Sequence, residues 1–353
     1  VVNDVSDASG TPPILDVRHL TTAVRGRDPG GRPVIAVDNI SFRVDAGRVL
    51  AIVGESGSGK SITCLSLLGL LPSSARLIEG EVRFKGRDIA RLSPAELQQL
   101  RGRSIGMVLQ DAMTSLNPLM TIGEQVGEVF RYHRGITDRR ELERLSVEAL
   151  ETVKIPAARE RLASYPFQFS GGMRQRVALA INIALSPELL ICDEPTTALD
   201  VTVQLQILTL LRELQRDRGI AIVFVTHDLH LAAQFCDDVA VMYAGRIVES
   251  GPIGEVLERP VHPYTVGLVQ AAPSLANYRR PLAAIPGQQP ALGNLPPGCR
   301  FEPRCPSAVD ACRQAYPDWF EFGARHVACW LTEERIGATP MAAAPVACAE
   351  TAR

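Results

Sequence analysis

The stretch VLAIVGESGSGKSITCLSLLGLL, Val49–Leu71, runs from apolar residues through a glycine-rich turn into a helical run. VLAIVG (49–54) reads as a buried strand and SITCLSLLGLL as a helix, so GESGSGKS (54–61) lies where strand passes to helix. It fits G-x-x-x-x-G-K-[ST] in the context that pattern requires. Glycines let successive backbone N–H groups turn inward around phosphate oxygens, and the helix N-terminus adds its positive dipole end. Gly54, Glu55, Ser56, Gly57, Ser58, Gly59, Lys60, Ser61 and Ile62 are the expected nucleotide contacts. Lys60 is placed to reach the β- and γ-phosphates, and the Ser61 hydroxyl suits Mg²⁺.

Outward from this loop, SIGMVLQ (104–110), LLICDEP (189–195) and IAIVFVTH (220–227) read as further buried strands, each ending in a polar switch. Strands apolar on both faces and alternating with helical segments imply an α/β domain with a largely parallel sheet. DNISFRVDAG and the hairpin-like DVAVMYAGRIVESG are expected to add antiparallel strands at the edges. From about 111 to 169 strand patterns give way to helical periodicity with mixed charge, as in RRELERLSVEALETV, which reads as a helical insert. Residues 1–13 read as a disordered lead, 14–259 as the main domain, 260–335 as a small cysteine-bearing extension and 336–353 as a flexible tail.

LLICDEP supplies a second half to the phosphate loop. Its apolar residues deliver Asp193 to the strand's C-terminal end, where a carboxylate can hold the Mg²⁺ shell. Glu194 follows and is placed to polarise an attacking water as a general base. Alone, such an acidic strand end is more often a turn cap; the phosphate loop changes that weighting.

Composition bounds the rest. The chain has 353 residues, 46% hydrophobic and 22% charged, with a formal net charge of −2. Basic residues are dispersed, which leaves no broad footprint for nucleic acid. VVNDVSDASGTPP lacks a charged-then-apolar signal pattern, and the longest apolar runs fall far short of a membrane span. The expectation is a cytosolic protein, peripheral at the cytoplasmic face of the membrane, in which stable disulfides are disfavoured.

FSGGMRQR (169–176) is close to the LSGGQ signature of the ATP-binding-cassette ATPases, with Phe169 for Leu and Met173 for Gln. The chain resembles that family over about residues 14–260. The resemblance implies a P-loop NTPase core with a mixed sheet and a helical subdomain, binding ATP and Mg²⁺. It assigns Gln110 to the Q-loop, where it joins Ser61 and Asp193 around Mg²⁺. TALD (197–200) matches the D-loop with Asp200, and His227 the switch histidine, so Glu194, His227 and Gln110 are the expected catalytic set. In the family, the loop at Ser170, Gly171 and Gly172 grips the γ-phosphate of ATP held by the other subunit, so a head-to-tail pair is implied. HLTTAVRGRD (19–28), where the family places an adenine-stacking aromatic, offers Ala23 and Val24 instead.

LQDAMTSLNPLMTIGEQV (109–126) and RPVHPYTVGLVQAAPSL (259–275) are similar to segments of the ATPases of oligopeptide, dipeptide and nickel importers. Read as residues alone, Asn117-Pro118 is a turn and Pro260 or Pro263 ends a helix. The resemblance implies an ATPase subunit that powers peptide import, with nickel or another small solute as the alternative and a soluble ABC ATPase not coupled to transport as the lesser one. Its implied partners are two membrane-spanning permease subunits, a second and paralogous ATPase chain, and an extracytoplasmic solute-binding protein.

Cys64, Cys192 and Cys236 read as small apolar residues of a core helix, strand and helix, and Cys348 as a free thiol of the tail. Cys299, Cys305, Cys312 and Cys329 remain. Their intervals match neither zinc ribbons nor ferredoxin spacings, so spacing alone gives a weak metal signal. PxGCxFxPRCPxAxxxC resembles the C-terminal region of peptide-importer ATPases, some of which carry an iron–sulfur cluster there. A [4Fe–4S] cluster is therefore expected, with Zn²⁺ or bare thiols as alternatives, Cys329 preferred to His326 as fourth ligand, and a structural role.

Overall fold

The computed structural model describes residues 12–26, 31–110, 115–197, 199–271 and 284–332. The expectations for residues 1–11, for 336–353 and for Cys348 lie outside these.

Two sheets carry the fold. β1 (Leu15–Arg25), β2 (Pro33–Val44), β4 (Ala75–Phe84) and β5 (Arg87–Asp88) form an antiparallel sheet in the order β2-β1-β4-β5. β3 (Val49–Val53), β6 (Ile105–Val108), β7 (Leu189–Asp193), β8 (Ala221–Thr226), β9 (Asp238–Tyr243), β10 (Arg246–Pro252), β11 (Phe320–Phe322) and β12 (Arg325–Val327) form the other. Its order is β11-β12-β10-β9-β3-β8-β7-β6.

β9, β3, β8, β7 and β6 run parallel, as their unbroken apolar composition requires when helices or a second sheet cover both faces. All five residues of β3 and of β7 are buried, as are all six of β8. One apolar cluster lies on the helix side and includes Val49, Ala51, Phe224 and Leu211. The other fills the space toward the antiparallel sheet with Leu50, Ile52, Val223 and Leu20. Alternate residues of each strand thus feed opposite cores.

The sequence expectation for the edges is corrected in two ways. DNISFRVDAG pairs in the separate four-stranded sheet. β9 and β10 are interior strands, because the C-terminal hairpin β11–β12 pairs beyond β10, with Glu249 opposite Val327 and Ser250 opposite His326. Cys299, Phe301 and Cys312 belong to the main helix-side core. A segment too short for a core of its own completes one already present.

Among the described residues 115–169, the insert is helical. Helices span Ile122–Arg134, Arg139–Thr152 and Ala158–Arg161. Thr121 and Glu124 cap the first reciprocally, and Asp138 accepts from the Glu141 N–H at the start of the second. Leu119 N–H donates to Asn117 Oδ1 at 3.0 Å, a local turn around Asn117-Pro118. Two smaller expectations shift. Pro263 opens the helix Pro263–Ala271, where its missing N–H costs nothing, and Cys236 lies just beyond the helix Leu229–Ala233.

Candidate active site

β3 ends at Val53 and the helix Lys60–Leu67 begins after six intervening residues, so Gly54–Gly59 must turn tightly beneath the C-terminal ends of the parallel strands. Gly59 has φ +105°, and a Cβ there would stand 2.8 Å from the Ala36 carbonyl oxygen; a Cβ on Gly54 would collide with the Met242 carbonyl. Only glycine fits at these two points. The Lys60 ammonium is buried and donates to the carbonyls of Gly54 (2.7 Å) and Glu55 (2.9 Å), which holds it across the loop's mouth. Burial lowers its pKa from the ordinary value, opposed by the charges of Glu194 and Asp193.

Asp193 closes β7 directly beside this loop. Burial pushes its carboxyl above the ordinary value, and a hydrogen bond with Ser61 opposes the shift. Its Oδ1 is buried without a hydrogen-bond partner. A hard-oxygen pair, one carboxylate and one hydroxyl, with an orphaned acceptor is a donor set that fits Mg²⁺. Gln110 sends its amide elsewhere: Nε2 donates to Glu194 Oε2 at 3.3 Å.

Glu194 is the hub. Its Oε2 accepts from Thr197 Oγ1 at 2.9 Å and lies 3.3 Å from His227 Nδ1, while Oε1 is 3.8 Å from Lys60 Nζ. Its backbone has φ +45°, a left-handed conformation that costs a non-glycine residue roughly 1–3 kcal/mol and tends to mark working residues. The turn aims the carboxylate along the strand ends. Gln110, His227 and Lys60 come from β6, β8 and the helix after β3, so the parallel sheet alone brings them together. Thr197 was not anticipated; the available signal was a hydroxyl three residues after the carboxylate.

The glycine loop Ser170–Gly172 stands apart from this cluster. Ser170 Oγ accepts from Met173 N at 3.3 Å and caps the helix Gly171–Ile183. Gly172 packs so closely on Val203 that a side chain would collide, and Asp200 caps the helix Val201–Arg218 by accepting from Val203 N at 3.0 Å. Among the described residues no hydrogen bond or ion pair joins 170–172 to 54–61. Ser170 and Gly171 are exposed.

The extension meets the phosphate loop. Glu55 N–H donates to Tyr264 Oη at 2.9 Å, the Glu55 carboxylate pairs with Arg304, and Gln289 Nε2 donates to Gly57 O at 2.9 Å. Glu55 therefore has its backbone N–H and its carboxylate both engaged by the extension.

The four C-terminal cysteines line a single cavity with His262, Phe301, Pro317, Trp330 and others. Burial pushes the Cys299 thiol up to about 12. A thiolate in such surroundings needs a compensating cation, and four thiols on one cavity are a donor set suited to a thiophilic metal. Among the described residues, however, no group of three or more His, Cys, Asp or Glu side chains is placed so that it could hold a metal ion.

The sequence model of the ABC transporter family matches residues 37–197, and that of the oligopeptide/dipeptide transporter C-terminal region matches 248–312. The oligopeptide transport ATP-binding protein OppD of Haemophilus influenzae is 48% identical over 325 residues, covering 92% of this chain and 99% of that protein. OppD of Escherichia coli K12 is 51% identical over 304 residues, covering 86% and 89%. The dimeric structure of MJ0796, a bacterial ABC transporter cassette, aligns with TM-score 0.60 at 28% identity over 68% of this chain and 98% of that one. A second structure of that cassette, in a post-hydrolysis state with ADP and Pi, aligns equally well. With the phosphate loop, the carboxylate pair at the end of β7 and the glycine loop capping its own helix, the chain belongs to the ABC transporter ATPases, in the branch that carries the oligopeptide/dipeptide transporter C-terminal region.

Proposed function

We propose that this chain is the ATP-hydrolysing subunit of a multi-subunit importer that moves peptides across the cytoplasmic membrane. The observation that carries the reading is the convergence of Gln110, Thr197, His227 and Lys60 on the Glu194 carboxylate, beside the loop Gly54–Ser61. The OppD proteins of two organisms, similar over most of their length, support the peptide class.

In this reading, Lys60 leaves the Gly54 and Glu55 carbonyls for the β- and γ-phosphates, exchanging neutral acceptors for charged ones. Ser61 and Asp193, with Gln110, would hold Mg²⁺, which would supply charge screening at the phosphates. Glu194 accepts the proton of the attacking water, and His227, on the far side of the same carboxylate, orients it toward the γ-phosphoryl group. Ser170, Gly171, Gly172 and Asp200 act on the nucleotide of a second ATPase chain, since among the described residues no hydrogen bond or ion pair joins them to this chain's own loop.

No helix among the described residues is long and apolar enough to cross a membrane. The translocation path would therefore come from two permease subunits at the cytoplasmic face, with an extracytoplasmic binding protein delivering the solute. We further infer that residues 260–335 form the extension of this branch and that Cys299, Cys305, Cys312 and Cys329 hold a [4Fe–4S] cluster. The metal would tie a segment that lacks a core of its own. Iron with acid-labile sulfide in the purified protein is the expected result; zinc alone overturns it.

The decisive experiment compares the wild-type chain with Glu194→Gln in ATP hydrolysis and recovers the complex from membranes. Turnover lost in the variant, with two permeases and a second ATPase co-purifying, is expected. Undiminished turnover removes Glu194 from its role, and activity without a membrane partner removes the transport reading.

A further inference from the structure

Arg304 lies one residue before Cys305 and 249 residues from Glu55 in sequence, yet the two form a two-pronged pair: Nη1 to Glu55 Oε2 at 2.8 Å and Nη2 to Oε1 at 3.1 Å. Every other polar direction of the guanidinium is also used. Nε donates to the Pro286 carbonyl (2.8 Å), Nη1 to Tyr243 Oη (3.3 Å) and Nη2 to the Ile285 carbonyl (3.3 Å). The side chain is 6% exposed and packs against the Tyr243 and Phe301 rings. An arginine held this completely has one orientation, set by the extension, and it presents that orientation to the phosphate loop.

Glu55 is an awkward residue for that loop. Gly54–Ser61 must wrap a polyphosphate, and a free carboxylate within the loop would repel it at well under the ~10 Å screening length. Tyr264 and Gln289 reach the same loop from the same side, the first at the Glu55 N–H and the second at the Gly57 carbonyl.

We propose that Arg304 is a positioning residue for the nucleotide site: it neutralises Glu55 and fixes the loop's outer wall, so that ATP affinity depends on the folded state of the four-cysteine segment. The proposal rests on the ATPase reading above. Its consequence is directional. Removing the cation leaves a carboxylate facing phosphate; removing the carboxylate leaves a cation there. The two substitutions should therefore move ATP affinity in opposite senses, whereas a merely structural pair would weaken binding whichever member is lost.

The test is equilibrium binding of MgATP to the full-length chain, with steady-state hydrolysis alongside. Arg304→Gln should raise the Kd and KM by roughly tenfold with kcat within about twofold, and the defect should shrink as salt screens the exposed carboxylate. Arg304→Lys, keeping charge but losing the fork, should fall between. Glu55→Gln should bind ATP roughly threefold tighter than wild type, and Glu55→Gln with Arg304→Gln should recover most of the lost affinity. An Arg304→Gln variant within twofold of wild type overturns the proposal, as does a Glu55→Gln variant that weakens binding. If Arg304→Gln does not fold, the sign of the Glu55→Gln effect decides alone. A wild-type chain that binds no ATP instead removes the ATPase reading, which separates the two failures.

Discussion

Two glutamates show how differently this chain uses the same side chain. Glu194, at the end of β7, has its partners at 2.9–3.8 Å, in a left-handed backbone, with a half-open histidine beside it. Glu249, in β10, is fully buried, pairs with the buried Arg325, and accepts from Val261 N at 3.1 Å and His262 N at 2.9 Å. Burial pushes the Glu249 carboxyl up from its ordinary value, and those two amides, Thr265 and Arg325 oppose that shift. Loose contacts around Glu194 leave acceptor capacity for water. Saturated contacts around Glu249 leave none, and the residue serves to lock the β12 strand and the chain after Pro260 onto β10. Spare hydrogen-bonding capacity separates the working carboxylate from the structural one.

That contrast can be broken most sharply at Glu194. Glu194→Gln keeps the shape and removes the base, so ATP turnover should fall by about 10²–10⁴-fold with thermal stability nearly unchanged. Phosphate release and a melting curve on the same sample check both halves. The converse holds at the seam. Arg325→Ala strands a buried carboxylate and should cost about 3–5 kcal/mol in urea unfolding. A loss under ~1 kcal/mol would show that water reaches Glu249 and that the seam is not closed.

Smaller effects sharpen the picture. Cys312→Ser should lower the iron content and reduce Tm by about 5–10 °C, leaving the kcat of the remaining folded protein close to wild type. An unchanged Tm in metal-depleted protein would remove the structural role of the four thiols. Thr197→Val deletes one hydrogen bond to Glu194 and should reduce kcat by roughly threefold to tenfold, about 1 kcal/mol, with KM for ATP held. A raised KM in its place would mean that Thr197 contacts nucleotide directly.

The sequence was informative wherever structure is local. Gly54–Ser61 is readable because the motif, its strand and its helix are contiguous. The buried strands β3, β6, β7 and β8 announce themselves through apolar runs. The hairpin β11–β12 did not. Strands of three residues are too short for any periodicity to register, and their pairing with β10 depends on a partner some 75 positions away.

Glu55 marks the boundary between the two kinds of knowledge. Its place in the phosphate loop follows from the motif, and so does the chemistry of Lys60, Ser61, Asp193 and Glu194. Those roles are set by residue type at fixed separations along strand, turn and helix. That its carboxylate turns away to Arg304 and that Gln110 meets Glu194 were decided by tertiary packing. Contacts between segments separated by tens to hundreds of residues depend on sheet order and burial, which no local pattern encodes.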